Sequence, residues 1–278
     1  MRASVIAYWA AKEGSSATEY EDAWHVLPGT GDEVPGDWVS VAVADGATES
    51  LLARRWATMM AEKFAATSAA AYDPCSFAET ALALSSQWPA VLKSYIAERE
   101  NAARPLRWYE RPGMEKGAFA TLLALQVSVD SQLAGGAGTQ PDPVDPCFLR
   151  VIGGWTSAAF GDTCLFQVRG GQLQVAFPLS ESAHFDTSPL LLGSFDADPE
   201  AIADHVRFAE GTVAEGDDFF VCTDALAAWF LARSEEGARP WETLRDLTEI
   251  GFAEWVSEAR RTNGLRNDDV TLVHVDVW

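Results

Sequence analysis

The sequence is poor in positive charge. Only 20 lysines and arginines stand against 41 aspartates and glutamates, a formal net charge of −21. Such a surface repels phosphate backbones, so nucleic acid is not expected as a partner. Cysteine is scarce as well. Cys75, Cys147, Cys164 and Cys222 include no CxxC pair and give no close metal-ligand spacing. Cys164 and Cys222 lie inside apolar runs and read as small core residues; free thiols fit a reducing compartment. Long hydrophobic runs are missing. Residues 118–129, broken by Thr121 and Gln126, are too short to span a bilayer. The opening MRASVIAYWAAKEGSS lacks the apolar stretch of a signal peptide. A cytoplasmic protein that engages no membrane, and a monomer, is expected. His25, His184, His205 and His274 belong to no motif. Ser50 and Ser157 have no His and Asp partners in a hydrolase pattern, and GGAGTQPDP lacks the lysine and helix of a phosphate loop.

What is present is a chain of 278 residues, 48% hydrophobic, enough to bury one large core over residues 1–278. Strands are predicted over residues 5–11, 22–28 and 38–45, the last apolar throughout and so buried on both faces. ESLLARRWATMMAEKFAAT follows with Trp56, Met60 and Phe64 at helical spacing, capped by Thr48 or Ser50, with Glu49 near its start. A second helix is predicted over residues 76–100, bent at Pro89. Further strands cover residues 117–130 and two stretches within 146–178; residues 131–146, rich in Gly and Pro, read as a loop. A short helix over 199–211, a strand over 217–224, a helix over 225–237, a longer helical region over 240–264 and a strand over 269–278 complete the pass. The order lacks βαβ alternation and predicts an α+β fold with antiparallel sheets and helices outside them.

Carboxylates recur where strands end. Asp45 follows VSVAVA, Asp162 follows WTSAAFG, Asp224 follows FFVCT, Asp268 and Asp269 precede the last strand, and Glu21 and Asp22 precede an early one. Taken singly each is a helix cap or a solvated turn residue. Taken together they could converge at one edge of the sheets, where repulsion would call for cations. Oxygen ligands without His or Cys select Mg²⁺ or Mn²⁺.

Six stretches in order, EYEDAW, VAVADGATES, GAFATLLAL, AAFGDTCLFQVRGGQL, DDFFVCTDALAAWF and NDDVTLVHV, resemble the metal-dependent protein phosphatases, the protein phosphatase 2C family, and most closely its divergent bacterial branch. The resemblance implies a four-layer α-β-β-α sandwich around two antiparallel sheets. It implies hydrolysis of phosphoserine or phosphothreonine on a protein substrate by a hydroxide bridging two Mn²⁺ or Mg²⁺ ions. By the same resemblance Asp45 bridges the ions, the Gly46 carbonyl ligates one, and Asp224 and Asp268 ligate the other. Glu21 and Asp22 hold metal-bound waters, and Asp162 belongs to a third, weaker site.

The chain departs from the family pattern in places. Ala17 stands where the family often has a phosphate-binding arginine, which weakens phosphate binding unless another cation substitutes, the candidates being Lys12, Arg54, Arg55 and the Arg104–Arg111 loop. Ala47 stands where eukaryotic members have a histidine, and Asp269 where the family has asparagine. Ala17 and Ala47 leave open a second reading, a weak or inactive pseudo-phosphatase acting as a binding module. Residues 99–116 concentrate Arg99, Arg104, Arg107, Arg111 and Lys116, read either as a solvated loop or as an attraction for an anionic substrate.

Overall fold

The computed structural model describes residues 3–48, 50–129, 150–185, 188–195 and 197–278. Glu49, Cys147 and the loop predicted over residues 131–146 lie outside the described residues. The strands are β1 (Ala3–Ala10), β2 (Ala23–Leu27), β3 (Trp38–Ala44), β4 (Phe119–Ala120), β5 (Leu122–Val129), β6 (Val151–Phe160), β7 (Cys164–Arg169), β8 (Gln172–Phe177), β9 (Leu192–Gly193), β10 (Arg207–Ala214), β11 (Asp217–Cys222) and β12 (Val270–Val277). The helices are α1 (Ala53–Ala65), α2 (Pro74–Ser85), α3 (Trp88–Asn101), α4 (Arg111–Lys116), α5 (Pro199–His205), α6 (Asp224–Glu235), α7 (Pro240–Arg245) and α8 (Glu249–Thr262). Two five-stranded sheets form, in the orders β1-β12-β11-β7-β8 and β10-β6-β5-β3-β2, and every pairing in them is antiparallel.

Side-chain alternation divides the core among the layers. On β3 the valines Val39, Val41 and Val43 join Leu123, Leu125, Phe219, Val221 and Val273 between the sheets. Ala42 and Ala44 turn outward, where their small size lets Trp56, Met60 and Phe64 of α1 lie close on the sheet. On the opposite outer face Trp229 and Phe230 of α6 and Phe252 of α8 cover Phe166, Phe220 and Leu272. Phe166 and Phe230 stack with ring centroids 4.1 Å apart. The result is the four-layer α-β-β-α sandwich. β3 is apolar on both faces because both are covered.

Element boundaries depart from the sequence pattern where local chemistry is decisive. The first helix begins at Ala53, behind Leu52 at φ 69°, and neither Thr48 nor Ser50 caps it. The Ser50 hydroxyl is engaged elsewhere: it donates to Ala47 O (2.8 Å) and accepts from Phe119 N (3.2 Å). The predicted bent helix is two helices, with Pro89 in the first turn of α3, where its missing N–H costs no hydrogen bond. The predicted helix over 199–211 stops at His205, and β10 takes over from Arg207. The region 240–264 divides into α7 and α8, the latter capped by Thr248, whose hydroxyl accepts from Gly251 N (3.2 Å). Thr248→Ala should cost about 1 kcal/mol of stability in a urea titration, the usual worth of such a cap.

Asp218 gives the fold a pH dependence. His274 Nε2 lies 2.8 Å from its Oδ1, and Arg245 pairs with its other oxygen. Burial works to raise the Asp218 pKa, but the hydrogen bonds from His274 and Arg245 outweigh it and hold it below the ordinary value. A depressed folded value contributes stability above the unfolded value, about 3.9, and that contribution is lost as pH falls through the folded one. Stability should therefore decline below about pH 4, and Asp218→Asn should flatten part of that decline in denaturant midpoints measured between about pH 5 and pH 3.

Candidate active site

Asp45 follows directly on β3, and Gly46 pairs with Ala120 in an isolated bridge. Ala47 N donates to Phe119 O and Thr121 N to Asp45 O, each at 2.9 Å, so neither bond uses the carbonyl of Gly46. A Cβ at position 46 would lie 2.5 Å from Glu21 O and 3.0 Å from the Ala53 Cβ. Glycine is what allows the stretch before β2, the end of β3 and the start of α1 to meet. Asp162 arrives on the β6–β7 turn. Gly161 before it has φ +98°, and a Cβ there would lie 2.6 Å from Thr121 Cγ2. The turn is tied to the junction of β4 and β5 by a 2.7 Å hydrogen bond between the Thr121 and Thr163 hydroxyls.

Asp224 opens α6 directly after β11, and its Oδ1 accepts from Ala225 N at 2.5 Å. Asp268 lies just before β12; its Oδ1 accepts from Asp269 N (2.9 Å), and Arg260 holds its carbonyl. Asp45, Gly46, Asp162, Asp224 and Asp268 line one cleft of about 900 Å³. The strands that deliver them belong to both sheets, β3 and β6 to one, β11 and β12 to the other.

Asp22 sits behind this wall, 1% exposed. Its Oδ2 accepts from the Thr271 hydroxyl (2.7 Å), whereas its buried Oδ1 meets no hydrogen-bond donor among the described residues. Glu21 does not line the cleft; its carboxylate lies 3.6 Å from Lys12 Nζ. Asp269 has both oxygens committed, accepting from Lys12 N (2.8 Å) and Glu21 N (2.6 Å). An asparagine offers one acceptor oxygen and could not take both amides in this way.

The electrostatics of the cleft record the crowding. Burial lifts Asp45 well above the usual carboxylate range, and the charges of Asp22, Asp224, Asp162 and Asp268 lift it further. Burial also raises Asp224, with Asp268 adding to it and Arg266 opposing. Asp22 is pushed up to about 8, by burial first, with Thr271 pulling down and Asp269 and Asp224 pushing up. Among the described residues no three carboxylate, imidazole or thiol groups stand close enough to cage one ion. The donor set is nonetheless all oxygen, with one buried Asp22 oxygen lacking a donor, which suits a hard divalent cation.

The cations at the cleft are Lys116 and Arg266. Of the other candidates, Lys12 pairs with Glu21, Arg55 with Glu98 (2.5 Å), and Arg54 with Ala17 O (3.2 Å) and the Tyr20 ring, while Arg104, Arg107 and Arg111 do not line the cleft. Arg266 was not singled out in the sequence. The available signal was its place two residues ahead of Asp268, directly before the NDDVTLVHV stretch.

No protein-family model matches the sequence, and no curated protein does. Solved structures match it in fold over nearly their whole length. The catalytic domain of the serine/threonine protein phosphatase PstP, in complex with 2 manganese ions, superposes with a TM-score of 0.52 at 13% identity, over 99% of this chain and 98% of that one. PppA, a key regulatory component of the T6SS in Pseudomonas aeruginosa, gives 0.52 at 14% identity, over 100% and 99%. RsbX in complex with magnesium gives 0.50 at 13% identity, over 100% and 96%. Among the described residues no helix is long and apolar enough to cross a membrane.

Proposed function

We propose that this chain, which has the protein phosphatase 2C fold, hydrolyses phosphoserine or phosphothreonine esters of a protein substrate with two divalent cations, Mn²⁺ or Mg²⁺. The observation that carries the reading is the convergence of Asp45, Asp162, Asp224 and Asp268, delivered by both sheets, on one cleft. Half-buried like charges gathered in one cleft, with Asp162 buried among them, call for cations rather than for caps or solvent. The manganese and magnesium ions in the PstP and RsbX structures support the choice of metal.

In this reading Asp45, Asp224 and Asp268, with the Gly46 carbonyl, hold the ions. Asp22 and Glu21 steady the water around them, and Asp162 serves a third position. Bound there, the ions neutralise the carboxylates and activate water for attack at phosphorus. The chain's own residues do the remaining work. Lys116 and Arg266 give the cleft the positive charge that draws in and orients a phosphate. Asp269 fixes the main chain at Lys12 and Glu21, so that Asp22 is held in register behind Asp45. Ala47 lines the cleft without a titratable group, so no side chain at that position protonates the leaving serine or threonine.

The test is hydrolysis of an aryl phosphate and of a phosphopeptide with added Mn²⁺. Turnover should appear with the metal and vanish with excess chelator. Ala47 on the cleft wall favours the second reading, a binding module on the same fold. It would be preferred if a broad phosphopeptide panel bound to the metal-loaded protein without being hydrolysed.

A further inference from the structure

Residues 99–116 hold five of the chain's 20 lysines and arginines, on a protein of net charge −21. One of the five is structural. Arg99 places Nη1 and Nη2 on Glu110 (3.0 and 3.3 Å) and Nε on Arg104 O (2.7 Å), while Glu110 also accepts from Arg107 N (2.7 Å). The turn between α3 and α4 is thereby braced against α3. What the brace displays is unusual for a surface. Trp108 is 82% exposed and Tyr109 53%. Their rings meet edge to face at 5.9 Å, and the Arg107 guanidinium lies 5.8 Å from the Tyr109 ring centroid. Arg104 and Arg111 are exposed and form no ion pair among the described residues.

The same segment runs into the cleft wall, since Gly113 and Lys116 line it. Trp108 lies five positions before Gly113, so their backbones are at most about 18 Å apart. Trp, Tyr and Arg are the residue types that dominate binding energy when a partner covers them. Positive charge concentrated beside the cleft of an acidic protein selects an acidic partner through complementarity and steering.

We propose that residues 104–116, with Trp108 and Tyr109 at their tip, dock the acidic flank of a phosphorylated protein segment whose phosphorylated residue enters the cleft. The proposal rests on the phosphatase reading and names its substrate class.

The test compares phosphopeptides of one length with acidic, neutral or basic flanks, alongside an aryl phosphate, all with Mn²⁺. The proteins are the wild type, Arg104→Glu/Arg111→Glu and Trp108→Ala; Arg104 and Arg111 form no ion pair among the described residues, and the exposed Trp108 ring packs on the neighbouring Tyr109. The wild type should favour the acidic flank over the basic one by about tenfold in kcat/KM, expressed in KM. The charge-reversed variant should lose most of that preference. Trp108→Ala should raise KM for every peptide by about fivefold. Aryl phosphate hydrolysis should be unchanged in both variants. Equal kcat/KM for the three peptides in the wild type, or an intact preference after charge reversal, overturns the docking proposal and leaves the phosphatase reading standing. Absence of turnover on all substrates sinks the phosphatase reading instead. Docking is then decided by fluorescence anisotropy of a labelled acidic phosphopeptide: weaker binding to the charge-reversed variant supports it, and equal binding overturns it. A single-stranded oligonucleotide bound more tightly than that peptide, and lost in the same variant, overturns the assignment to a protein partner.

Discussion

Asp45→Asn is expected to keep the fold and lower Mn²⁺-dependent turnover by about 1,000-fold or more, equivalent to roughly 4 kcal/mol of transition-state stabilisation. The substitution is nearly isosteric, and the backbone around position 45 is set by the bonds from Thr121 N to Asp45 O and from Ala47 N to Phe119 O, which an asparagine leaves intact. What changes is charge at the one carboxylate on which Asp22, Asp224, Asp162 and Asp268 all act. A neutral amide cannot offset two divalent ions and offers them a single weaker oxygen. Asp224→Asn should fall comparably, since half-buried Asp224 feels the charge of Asp268 and contacts Asp45. A stability measurement separates the chemistry from misfolding. With chelator present, removing one of several crowded negative charges should leave the unfolding midpoint unchanged or raise it, whereas a damaged fold would lower it. Full Mn²⁺-dependent activity in both variants would remove these aspartates from the reaction. An active wild type that ignores chelator would remove the metal.

Much of this architecture was written in periodicities that both faces of the sheets enforce. β3 reads as doubly buried because its valines and alanines each face a covered layer, and that is where they lie. Spacing made the strand-end acids legible as positions, and only the family resemblance joined them into a group. Asp45 and Asp224 are far apart in sequence and meet only because β3 and β11 belong to packed sheets whose ends coincide. Helix starts were less legible. Ser50 has the residue type of a cap, yet its hydroxyl serves Ala47 and Phe119. A tertiary hydrogen bond competed with a local one and won. Arg266 and Lys116 could not be ranked above Lys12 or Arg55, because a cation that lines the cleft and one paired with Glu98 look alike in a sequence. Asp217 and Asp218 fall in the strand predicted over residues 217–224, with no role of their own assigned. Their side chains point to opposite faces of β11, and each anchors its own network.

The Asp217 network carries the largest stability effect expected away from the cleft. Asp217 is fully buried and accepts from Arg169 Nε (2.6 Å) and Nη2 (2.7 Å), Gln167 Nε2 (2.9 Å) and Ala214 N (2.9 Å). Gln167 in turn donates to Thr212 O (2.9 Å) and accepts from Trp155 Nε1 (3.0 Å). Since β7 and β11 lie in one sheet and β6 and β10 in the other, this cluster bolts the two sheets together. Asp217→Ala would take the carboxylate from Arg169, which is part-exposed and keeps its bond to Thr212 O, and leave two buried N–H donors without acceptors, a loss of about 2–4 kcal/mol. Arg169→Met combined with Asp217→Leu should cost less than Asp217→Ala alone, because it removes both charges and refills the volume. The two ends of β11 make the measurement specific. Asp217 begins the strand and Asp224 follows its end, roughly 20 Å away at the rise of an extended chain. Asp217→Ala should therefore lower the urea midpoint strongly while kcat and KM of the protein that remains folded stay near wild type. A midpoint shift below about 1 kcal/mol would mean that water satisfies the stranded groups, and that the sheets are held by the valine core between them without this bolt.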